Sequence, residues 1–285
     1  MSDEIPIDHL RTWIGKKDHQ TGIITPELVK RFNATLGGYT KITTELPLGI
    51  HWCLAQPSVV HDSLGEDGHP VKGGFMPPVP LSRRMWASSK IQFNENLKVG
   101  LIVEKVSTIA DVVFKQSAAS GPLVFVHVDH EYSQESKICI EDRQIVVYRQ
   151  PSAFKQTEPE EPQNSSHSQS IVPDSTLLFR YSALTFNGHR IHYDQNYTRD
   201  VEGYPDLVVH GPLTATLLMN MAQASQSNKT LHKFEFKGTA PSFVDQTLDL
   251  LVKDKSANSL EARNHLGALI MSASVEFKDY KNRKA

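Results

Sequence analysis

A long apolar helix in the C-terminal half leaves little choice of fold. Residues 211–226, GPLTATLLMNMAQASQ, carry no charged side chain. Gly211 lies at the predicted cap and Pro212 at the first helical position, where the missing proline N–H costs nothing. Four apolar side chains then recur on one face at helical spacing: Leu213, Leu217, Leu218 and Met221. Such a helix must be covered by other elements of the fold.

Alternating apolar and polar residues after this helix predict strands that could cover it. The pattern of period two runs through KFEFKG (233–238), TLDLLVKD (247–254) and ALIMSASVEFKD (268–279). Residues 176–182, TLLFRYS, are predicted as a further strand. A curved antiparallel sheet can wrap an apolar helix, so the C-terminal half is predicted to be α+β.

Residues 151–173 divide the chain into two halves. This segment is rich in Pro, Glu, Gln and Ser and cannot bury enough apolar surface to order itself. We expect a flexible linker that joins a first domain over 1–150 to a second domain over 174–285.

The N-terminal half repeats the same order of elements more loosely. TPELVKRFNATLG predicts a short helix with Thr25 as its cap. Residues 47–84 are a Gly- and Pro-rich loop, and loops of this length are usually functional. Strands are expected near 88–95, 99–115, 122–130 and 138–149. The two halves are therefore predicted to be structural duplicates with little sequence identity.

Composition excludes several classes of protein. The 285 residues have a net charge of −2, which favours neither nucleic acid nor an anionic membrane as a partner. The two cysteines, Cys53 and Cys139, have no metal-type spacing and suit a reducing compartment. The sequence has no apolar signal core, transit-peptide character or membrane-length apolar run, so a cytoplasmic protein is expected. No Gly-rich dinucleotide fingerprint follows a predicted strand, and no redox cofactor is expected.

The stretch ALTFNGHRIHYD (183–194) concentrates the titratable residues, and three interpretations compete. His189 and His192, with Asp194, could ligate zinc, but no cysteine lies near and Arg190 adds positive charge, so we expect no metal. The second interpretation is a polar turn without chemistry around Asn187 and Gly188. The third is an acid/base site, because His192 lies between aliphatic and aromatic neighbours that could tune an imidazole for proton transfer.

Two blocks of sequence resemble MaoC-like enoyl-thioester hydratases. YSALTFNGHRIH (181–192) resembles the family's hydratase 2 motif, with Thr185 at its Ser/Thr position and His192 at its catalytic histidine. Asn187 falls where that motif has a catalytic aspartate, and His189 and Arg190 fall where it has asparagine and proline. VVHGPLTATLL resembles the start of the family's central helix, whose glycine N–H polarises the thioester carbonyl.

The resemblance covers nearly the whole chain and points to one branch of the family. FNGHRIHYD, VEGYPDLVVHGPL, LPLGIHWCLAQP and DGHPVKGGFMPPVPLSRRMWAS are similar to itaconyl-CoA hydratases, mesaconyl-C4-CoA hydratases and mitochondrial 3-hydroxyacyl-thioester dehydratases. The resemblance implies a double hotdog fold. In this fold the N-terminal hotdog would have lost the hydratase 2 motif and would shape the acyl pocket.

The implied substrate is an acyl-CoA thioester. The implied activity is hydration of itaconyl-CoA or mesaconyl-C4-CoA to citramalyl-CoA in itaconate degradation, with coenzyme A as part of the substrate and not a cofactor. Two alternatives remain open: a dehydratase of fatty acid synthesis and a non-catalytic acyl-CoA-binding module. Two double hotdogs could also associate as a homodimer.

The resemblance and the chemistry together assign expected roles to the candidate residues. Gly211 would present its backbone N–H to the thioester oxygen at a helix N-terminus. Because asparagine does not titrate, His192 would act as both base and acid, and Asn187 would orient the water through its amide. Asp194 could be a second acid, a partner that orients an imidazole, or a helix cap.

Arginines suggest how a second carboxylate on the substrate could be bound. We expect Arg190, Arg83 and Arg84 to line the substrate site, together with His189 and Trp86. A guanidinium binds a carboxylate through a bidentate fork. The same arginines could instead hold loops together or contact the phosphates of coenzyme A.

Overall fold

The computed structural model describes residues 5–118, 120–152, 154–161 and 163–279. The helices are α1 (Ile7–Arg11), α2 (Pro26–Leu36), α3 (Ser175–Thr185) and α4 (Gly211–Ser225). The strands are β1 (Lys17–Ile23), β2 (Arg83–Phe93), β3 (Ile102–Ser117), β4 (Gly121–Gln134), β5 (Lys137–Arg149), β6 (His167–Ile171), β7 (Lys229–Gly238), β8 (Leu248–Val252), β9 (Ser259–Asn264) and β10 (Leu269–Asp279).

The strands form one antiparallel sheet to which each half of the chain contributes five strands. Its order is β1-β3-β4-β5-β2-β7-β10-β9-β8-β6. The halves join where β2 pairs with β7, in a register that places Ser88 opposite Lys237 and Gln92 opposite Lys233. The four strands predicted in the N-terminal half and the alternating strands after α4 are all present, with bounds that differ by a few residues.

Helix α4 lies at the centre of the molecule, as its sequence predicts. Eleven of its fifteen residues, Leu213 to Gln223, are buried without interruption. It packs against β7 to β10, and its apolar side chains share one core with residues of the N-terminal half. Burial on all sides follows from the absence of any charged face. Within the described ranges, no helix is long and apolar enough to cross a membrane.

Residues 176–182 are helical, so their prediction as a strand is wrong. They belong to α3, whose N-terminus is capped by Asp174 Oδ1 accepting from the Leu177 N–H at 2.7 Å. The buried residues Leu177, Leu178, Tyr181 and Ser182 recur at helical spacing. The apolar run is short enough to suit either element, and the capping aspartate is the signal that decides between them.

The predicted linker is partly built into the fold. Its last part is β6, an edge strand that pairs with β8 and places Ser170 opposite Asp249. Earlier in the segment, the Glu160 N–H donates to the Leu266 carbonyl at 2.8 Å. β6 is largely exposed, which explains why a polar composition is compatible with a strand there. The expectation of a flexible linker is therefore wrong for 167–171, and the domain limits at 150 and 174 stay a prediction.

The sheet of the N-terminal half lacks a long covering helix of its own. α2 packs against α3 of the other half, and its buried residues Phe32 and Leu36 join the core shared by both halves. One end of the inner face is covered by Leu10 of α1 and by Val79 and Leu81, which precede β2. The inner face between these covers is accessible to a cleft.

Asn220 ties α4 to the N-terminal half. It is 1% exposed, its Oδ1 accepts from the Leu48 N–H at 3.3 Å, and its Nδ2 donates to the Leu48 carbonyl at 2.9 Å. We expect Asn220→Leu to lower the free energy of unfolding by about 2–4 kcal/mol, because it leaves two backbone groups unpaired. Urea denaturation measures this change. Asn33→Leu, at an exposed position of α2, should shift it by less than about 0.5 kcal/mol, and equal shifts would contradict the role of Asn220.

Candidate active site

A cleft of 1810 Å³ lies between the two halves. The 186–193 loop and the start of α4 form one wall, and residues of the 56–76 loop and β2 form the other. Ligand pockets are usually about 300–1,000 Å³, so this cleft has room for a large ligand such as a CoA thioester.

His192 is held with one ring nitrogen directed at the protein, and the other has no hydrogen-bond partner among the described residues. It ends a short 3-10 turn, and its Nδ1 lies 2.7 Å from the Val208 carbonyl oxygen. Because a carbonyl can only accept, Nδ1 carries the proton and Nε2 keeps its lone pair. Burial lowers the pKa of His192 to about 4, against a smaller opposing effect of the Val208 hydrogen bond. The imidazole is therefore neutral at pH 7 and available as a base.

His210, which precedes α4, stacks on His192. Their ring centroids are 3.6 Å apart and their planes differ by 19°. His210 is fully buried, its Nε2 lies 2.8 Å from Ser182 Oγ, and its Nδ1 has no hydrogen-bond partner among the described residues. Burial also lowers the pKa of His210 well below its usual value. The stack fixes the plane of the His192 ring. No role for His210 was expected from the sequence, although it stands in the HG pair that identifies the start of α4.

Gly211 is the first residue of α4 and lines the cleft. The first N–H groups of a helix have no partner within it, so they are available to a ligand oxygen. A Cβ built on Gly211 would meet no atom closer than the Trp86 carbonyl oxygen, at 3.9 Å. The protein's own packing therefore does not require glycine here. Close approach of a ligand to the backbone would require it.

Asn187 and His189 form a turn at the mouth of the site. Asn187 Oδ1 accepts from the His189 N–H at 3.0 Å, and no described residue accepts from the Asn187 amide N–H groups. Both residues line the cleft, and the His189 ring lies edge-on to His192 at 5.5 Å between centroids. The geometry leaves Asn187 able to donate to a water, and its water-holding role stays a prediction.

The N-terminal half reaches this motif through residues 66–69. The Arg190 N–H donates to the Asp67 carbonyl at 3.0 Å, and a Cβ on Gly188 would lie 2.6 Å from the Gly68 carbonyl oxygen. Gly68 also has a left-handed φ of +84°. Two glycines thus let the backbones of the two halves touch. The sequence block DGHP resembled the family, but nothing in its spacing indicated this contact.

Three side chains at this contact could offer ligands to a metal ion. Ligand atoms of Asp67, His69 and His189 lie within 4.8 Å of one another. Three such ligands with an open position would suit a catalytic divalent ion. Asp67 already pairs with Arg84, whose Nε is 3.3 Å from Oδ2, and this guanidinium supplies the positive charge that a metal would bring. The cluster differs from the His189, His192 and Asp194 set considered from the sequence, and the absence of a metal stays a prediction.

Arg83 and Arg190 have most of their donors engaged within the protein. The buried Arg83 pairs with Glu202 at 3.0 Å and donates to the Ser152 carbonyl at 2.8 Å. Arg190 donates to Asp194 Oδ2 at 3.0 and 2.7 Å. These bonds explain both arginines without a substrate, so their predicted role as a carboxylate clamp stays untested.

Arg84 and Trp86 are the predicted substrate residues best placed for a ligand. Both line the cleft from β2, and the described residues offer Arg84 a single ion pair, to Asp67. The Trp86 ring packs edge-on against Trp52 at 5.1 Å and donates its own N–H to the Ser88 carbonyl. Arg84 can therefore still donate to an anion, and Trp86 provides an apolar wall.

Asp194 caps a short helical segment at 195–201 and is the partner of Arg190. Its Oδ1 accepts from the Tyr197 N–H at 3.0 Å. This backbone hydrogen bond, followed by the one from Arg190, lowers the pKa of Asp194. The carboxylate stays ionised at neutral pH, which argues against a second acid, and its hydrogen bonds to the Tyr197 N–H and to Arg190 favour the cap over a partner of an imidazole.

Comparisons with known proteins place the chain in a family. The model of the family described as hydroxyacyl-thioester dehydratase type 2 matches residues 49–244. Mesaconyl-C(4)-CoA hydratase of Chloroflexus aurantiacus is 40% identical over 271 residues, covering 93% of this chain and 96% of the relative. Mitochondrial hydroxyacyl-thioester dehydratase type 2 of Schizosaccharomyces pombe is 26% identical. The match covers 79% of this chain and 86% of that relative.

Solved structures confirm the fold. HtdX of Mycobacterium tuberculosis superposes with a TM-score of 0.68 at 17% identity, over 91% of this chain and 99% of its own. A second Mycobacterium tuberculosis protein, described as having a double hotdog fold, superposes with a TM-score of 0.55 at 12% identity. The match covers 93% of this chain and 96% of that protein. The predicted double hotdog is thus confirmed, and the chain belongs to the hydroxyacyl-thioester dehydratase type 2 family.

Proposed function

We propose that the protein is a hydratase of C5 dicarboxylic CoA thioesters that converts mesaconyl-C4-CoA, or itaconyl-CoA, to citramalyl-CoA. The observation that carries the chemistry is a neutral His192 with a free Nε2 in the cleft onto which the N-terminus of α4 opens. Family membership supports a hydratase or dehydratase reaction on a thioester. The 40% identical relative supports the choice of substrate.

The N-terminus of α4 would polarise the thioester. Adding water to the β-carbon moves negative charge onto the carbonyl oxygen as an enolate forms. The Gly211 N–H and the dipole of a fifteen-residue helix favour that charge. The buried, uncharged imidazoles around the site leave the N–H groups with little competition from solvent.

His192 would move the proton in both directions. Its Nε2 takes a proton from water as the hydroxyl oxygen bonds to the β-carbon, and the resulting imidazolium returns that proton to the α-carbon. Asn187 would hold the water by a hydrogen bond from its amide N–H. With itaconyl-CoA, the same imidazole would first carry a proton from the α-carbon to the terminal methylene, which brings the double bond into conjugation.

Dehydration of 3-hydroxyacyl thioesters in fatty acid synthesis is the second candidate, because the Schizosaccharomyces pombe relative bears that name. The chemistry is the reverse of hydration and uses the same groups, so the acyl chain alone distinguishes the two functions. A cytoplasmic location and a homodimer of double hotdogs stay predictions.

Hydration of a panel of CoA thioesters tests the proposed function. With purified protein and EDTA present, we expect kcat/KM for mesaconyl-C4-CoA to exceed that for crotonyl-CoA and a medium-chain enoyl-CoA by at least about 100-fold. His192→Ala should remove turnover, and Asn187→Ala should lower it by about 10²–10³-fold, the usual cost of losing one positioned hydrogen-bond donor. Preference for the plain acyl chains would move the protein to fatty acid metabolism, and binding without turnover would identify an acyl-CoA-binding module.

The rate should be insensitive to mild acid. Because the pKa of His192 is lowered to about 4, the imidazole stays neutral as the pH falls from 8 to 5.5. We expect kcat/KM to change less than about twofold across this range, whereas a histidine at its usual 6.5 would lose about tenfold. Circular dichroism at each pH verifies folding. A fall in kcat/KM centred near pH 6.5, in a protein that stays folded, would contradict the burial of the catalytic base.

Gly211→Ala should separate catalysis from stability. The added methyl enters the cleft and keeps the thioester oxygen from the helix N-terminus, so we expect kcat/KM to fall by about 10²–10³-fold. Stability should change by less than about 1 kcal/mol, because alanine is a better helix former. Gly38→Ala, in open space after α2, is the matched control and should leave kcat/KM unchanged. Unaltered turnover in Gly211→Ala would refute the role of this N–H.

A further inference from the structure

Two phenylalanines are exposed at the rim of the cleft. Phe179 on α3 is 64% exposed, and Phe186, the residue directly after α3, is 67% exposed. Both line the same cleft as His192 and Gly211. Large apolar side chains left in water beside a cleft mark a surface that another molecule covers. Nothing in the roles given above to the residues of the site uses either ring.

The backbone at Phe186 is strained. Its φ of +50° lies in the left-handed region, where a helix usually ends in glycine. A residue with a side chain avoids this region because its Cβ crowds the following carbonyl oxygen. The mostly exposed ring gains little from packing within the chain that could offset the strain. Strain of this kind is concentrated at binding sites, which points to a ligand for the ring.

The two rings flank a groove that begins at the catalytic histidines. Phe179, Ala183 and Phe186 recur at helical spacing, so they share one face of α3, with the two phenylalanines about 10 Å apart along its axis. Ser182 lies between them, and its Oγ is 2.8 Å from His210 Nε2. Ala183 is exposed and lines the cleft. Its small side chain leaves a gap between the rings, which we call the α3 groove.

The α3 groove has the position and length to hold the pantetheine arm of a thioester. This arm joins the sulfur to the phosphate, both in coenzyme A and in an acyl carrier protein. It has the backbone of about four amino-acid residues and reaches about 13–14 Å when extended. A helix with its side chains is about 10–12 Å wide. An arm whose thioester lies at Gly211, next to His210, can therefore cross α3 and reach solvent between the rings.

The chemistry of the arm also matches the groove. The arm is uncharged and carries two methyl groups on one carbon, which can pack on phenylalanine. It also has two amide N–H groups that require acceptors. The Phe186 and Asn187 N–H groups both donate to the Ser182 carbonyl, and no described N–H donates to the Ala183 carbonyl at the end of α3. That carbonyl can accept from an amide of the arm.

We propose that Phe179 and Phe186 bind the pantetheine arm of the substrate and hold its thioester in position at Gly211. The assignment rests on the proposed function and deepens it. It names the part of the substrate that a hydratase of CoA thioesters and a dehydratase of carrier-protein thioesters would share. The two rings therefore contribute to affinity for the carrier and not to the choice of acyl group.

Binding of ligands without an acyl group tests the assignment. Calorimetry measures Kd for coenzyme A, 4′-phosphopantetheine, holo-acyl carrier protein and adenosine 3′,5′-bisphosphate, which lacks the arm. We expect Phe179→Ala and Phe186→Gly each to raise Kd at least about fivefold for 4′-phosphopantetheine and for coenzyme A, but less than about twofold for the bisphosphate. Tighter binding of coenzyme A than of the carrier protein by wild type identifies the source of the arm as coenzyme A, and the reverse order identifies a carrier protein. Equal weakening of all ligands, or of none, would overturn the assignment.

Phe186→Gly should weaken binding and yet stabilise the protein. Glycine relieves the left-handed backbone, so we expect the melting temperature to rise by about 1–3 °C. Ser136→Gly is the matched control, because Ser136 has a φ of +61° in the exposed turn between β4 and β5 and does not line the cleft. It should raise the melting temperature similarly and leave Kd unchanged. A lower melting temperature in Phe186→Gly would show that the ring supports the fold instead.

Phe114→Ala is the control for Phe179→Ala, since Phe114 is an exposed phenylalanine on β3 that does not line the cleft. It should bind every ligand as wild type does. If Phe179→Ala does not fold, Phe186→Gly decides alone. Light scattering on the same variants tests for a second copy of the chain on the two rings. A wild-type dimer that dissociates in both variants, with Kd for coenzyme A unchanged, would overturn the assignment.

The outcomes separate this inference from the proposed function. A protein that hydrates mesaconyl-C4-CoA, but whose Phe179 and Phe186 variants bind coenzyme A as wild type does, would refute the role of the α3 groove alone. Loss of coenzyme A binding in both variants of a protein that does not hydrate mesaconyl-C4-CoA would refute the proposed function and support the α3 groove.

Discussion

The burial of an uncharged helix on every side is the constraint on which the other features depend. α4 is stable only because strands β7 to β10 cover one side and the shared core of both halves covers the other. Its first N–H groups still require partners, and they cannot find them in an apolar core. The start of the helix therefore opens onto the cleft. The packing that stabilises α4 thus also places Gly211 at the site.

Burial also sets the electrostatic character of the site. His189, His192 and His210 lie within one small volume, and loss of solvent lowers the pKa of each. Three uncharged rings leave little fixed positive charge to stabilise a substrate before reaction. The charged groups near the cleft are instead the Arg84–Asp67 ion pair and Lys105. The site can therefore respond to charge that develops during the reaction more than to charge already on the thioester.

Much of the fold could be predicted from the sequence because its signals are local. The alternation of the strands, the apolar run of α4 and the Thr25 cap of α2 each lie within a dozen residues. The motif placed His192 and Gly211 by resemblance, and both line the cleft. Local signals were insufficient for 176–182, where an apolar run suits either a strand or a helix, and for β6, whose polar sequence is stabilised by pairing with β8.

The residues that sequence reasoning missed are those whose environment is made by distant parts of the chain. Asp67 meets Arg190 only when the halves fold together. Lys105 has the inward parity of Val103 and Ser107 on β3, but a lysine in an alternating strand is ordinarily taken to face solvent. It lies on the inner face of the sheet, in the lining of the cleft between the halves, and no local pattern reveals that placement.

The backbone contact between Gly68 and Gly188 has a consequence for how this family can diversify. Neither position tolerates a side chain unless the other half moves. A substitution at either glycine would therefore disturb a segment in the other half of the chain. At this contact each half depends on the backbone of the other, although each contributes its own five strands to the sheet. A chain that combined one half with the other half of a distant relative would keep the 186–193 loop in position only where both glycines were preserved.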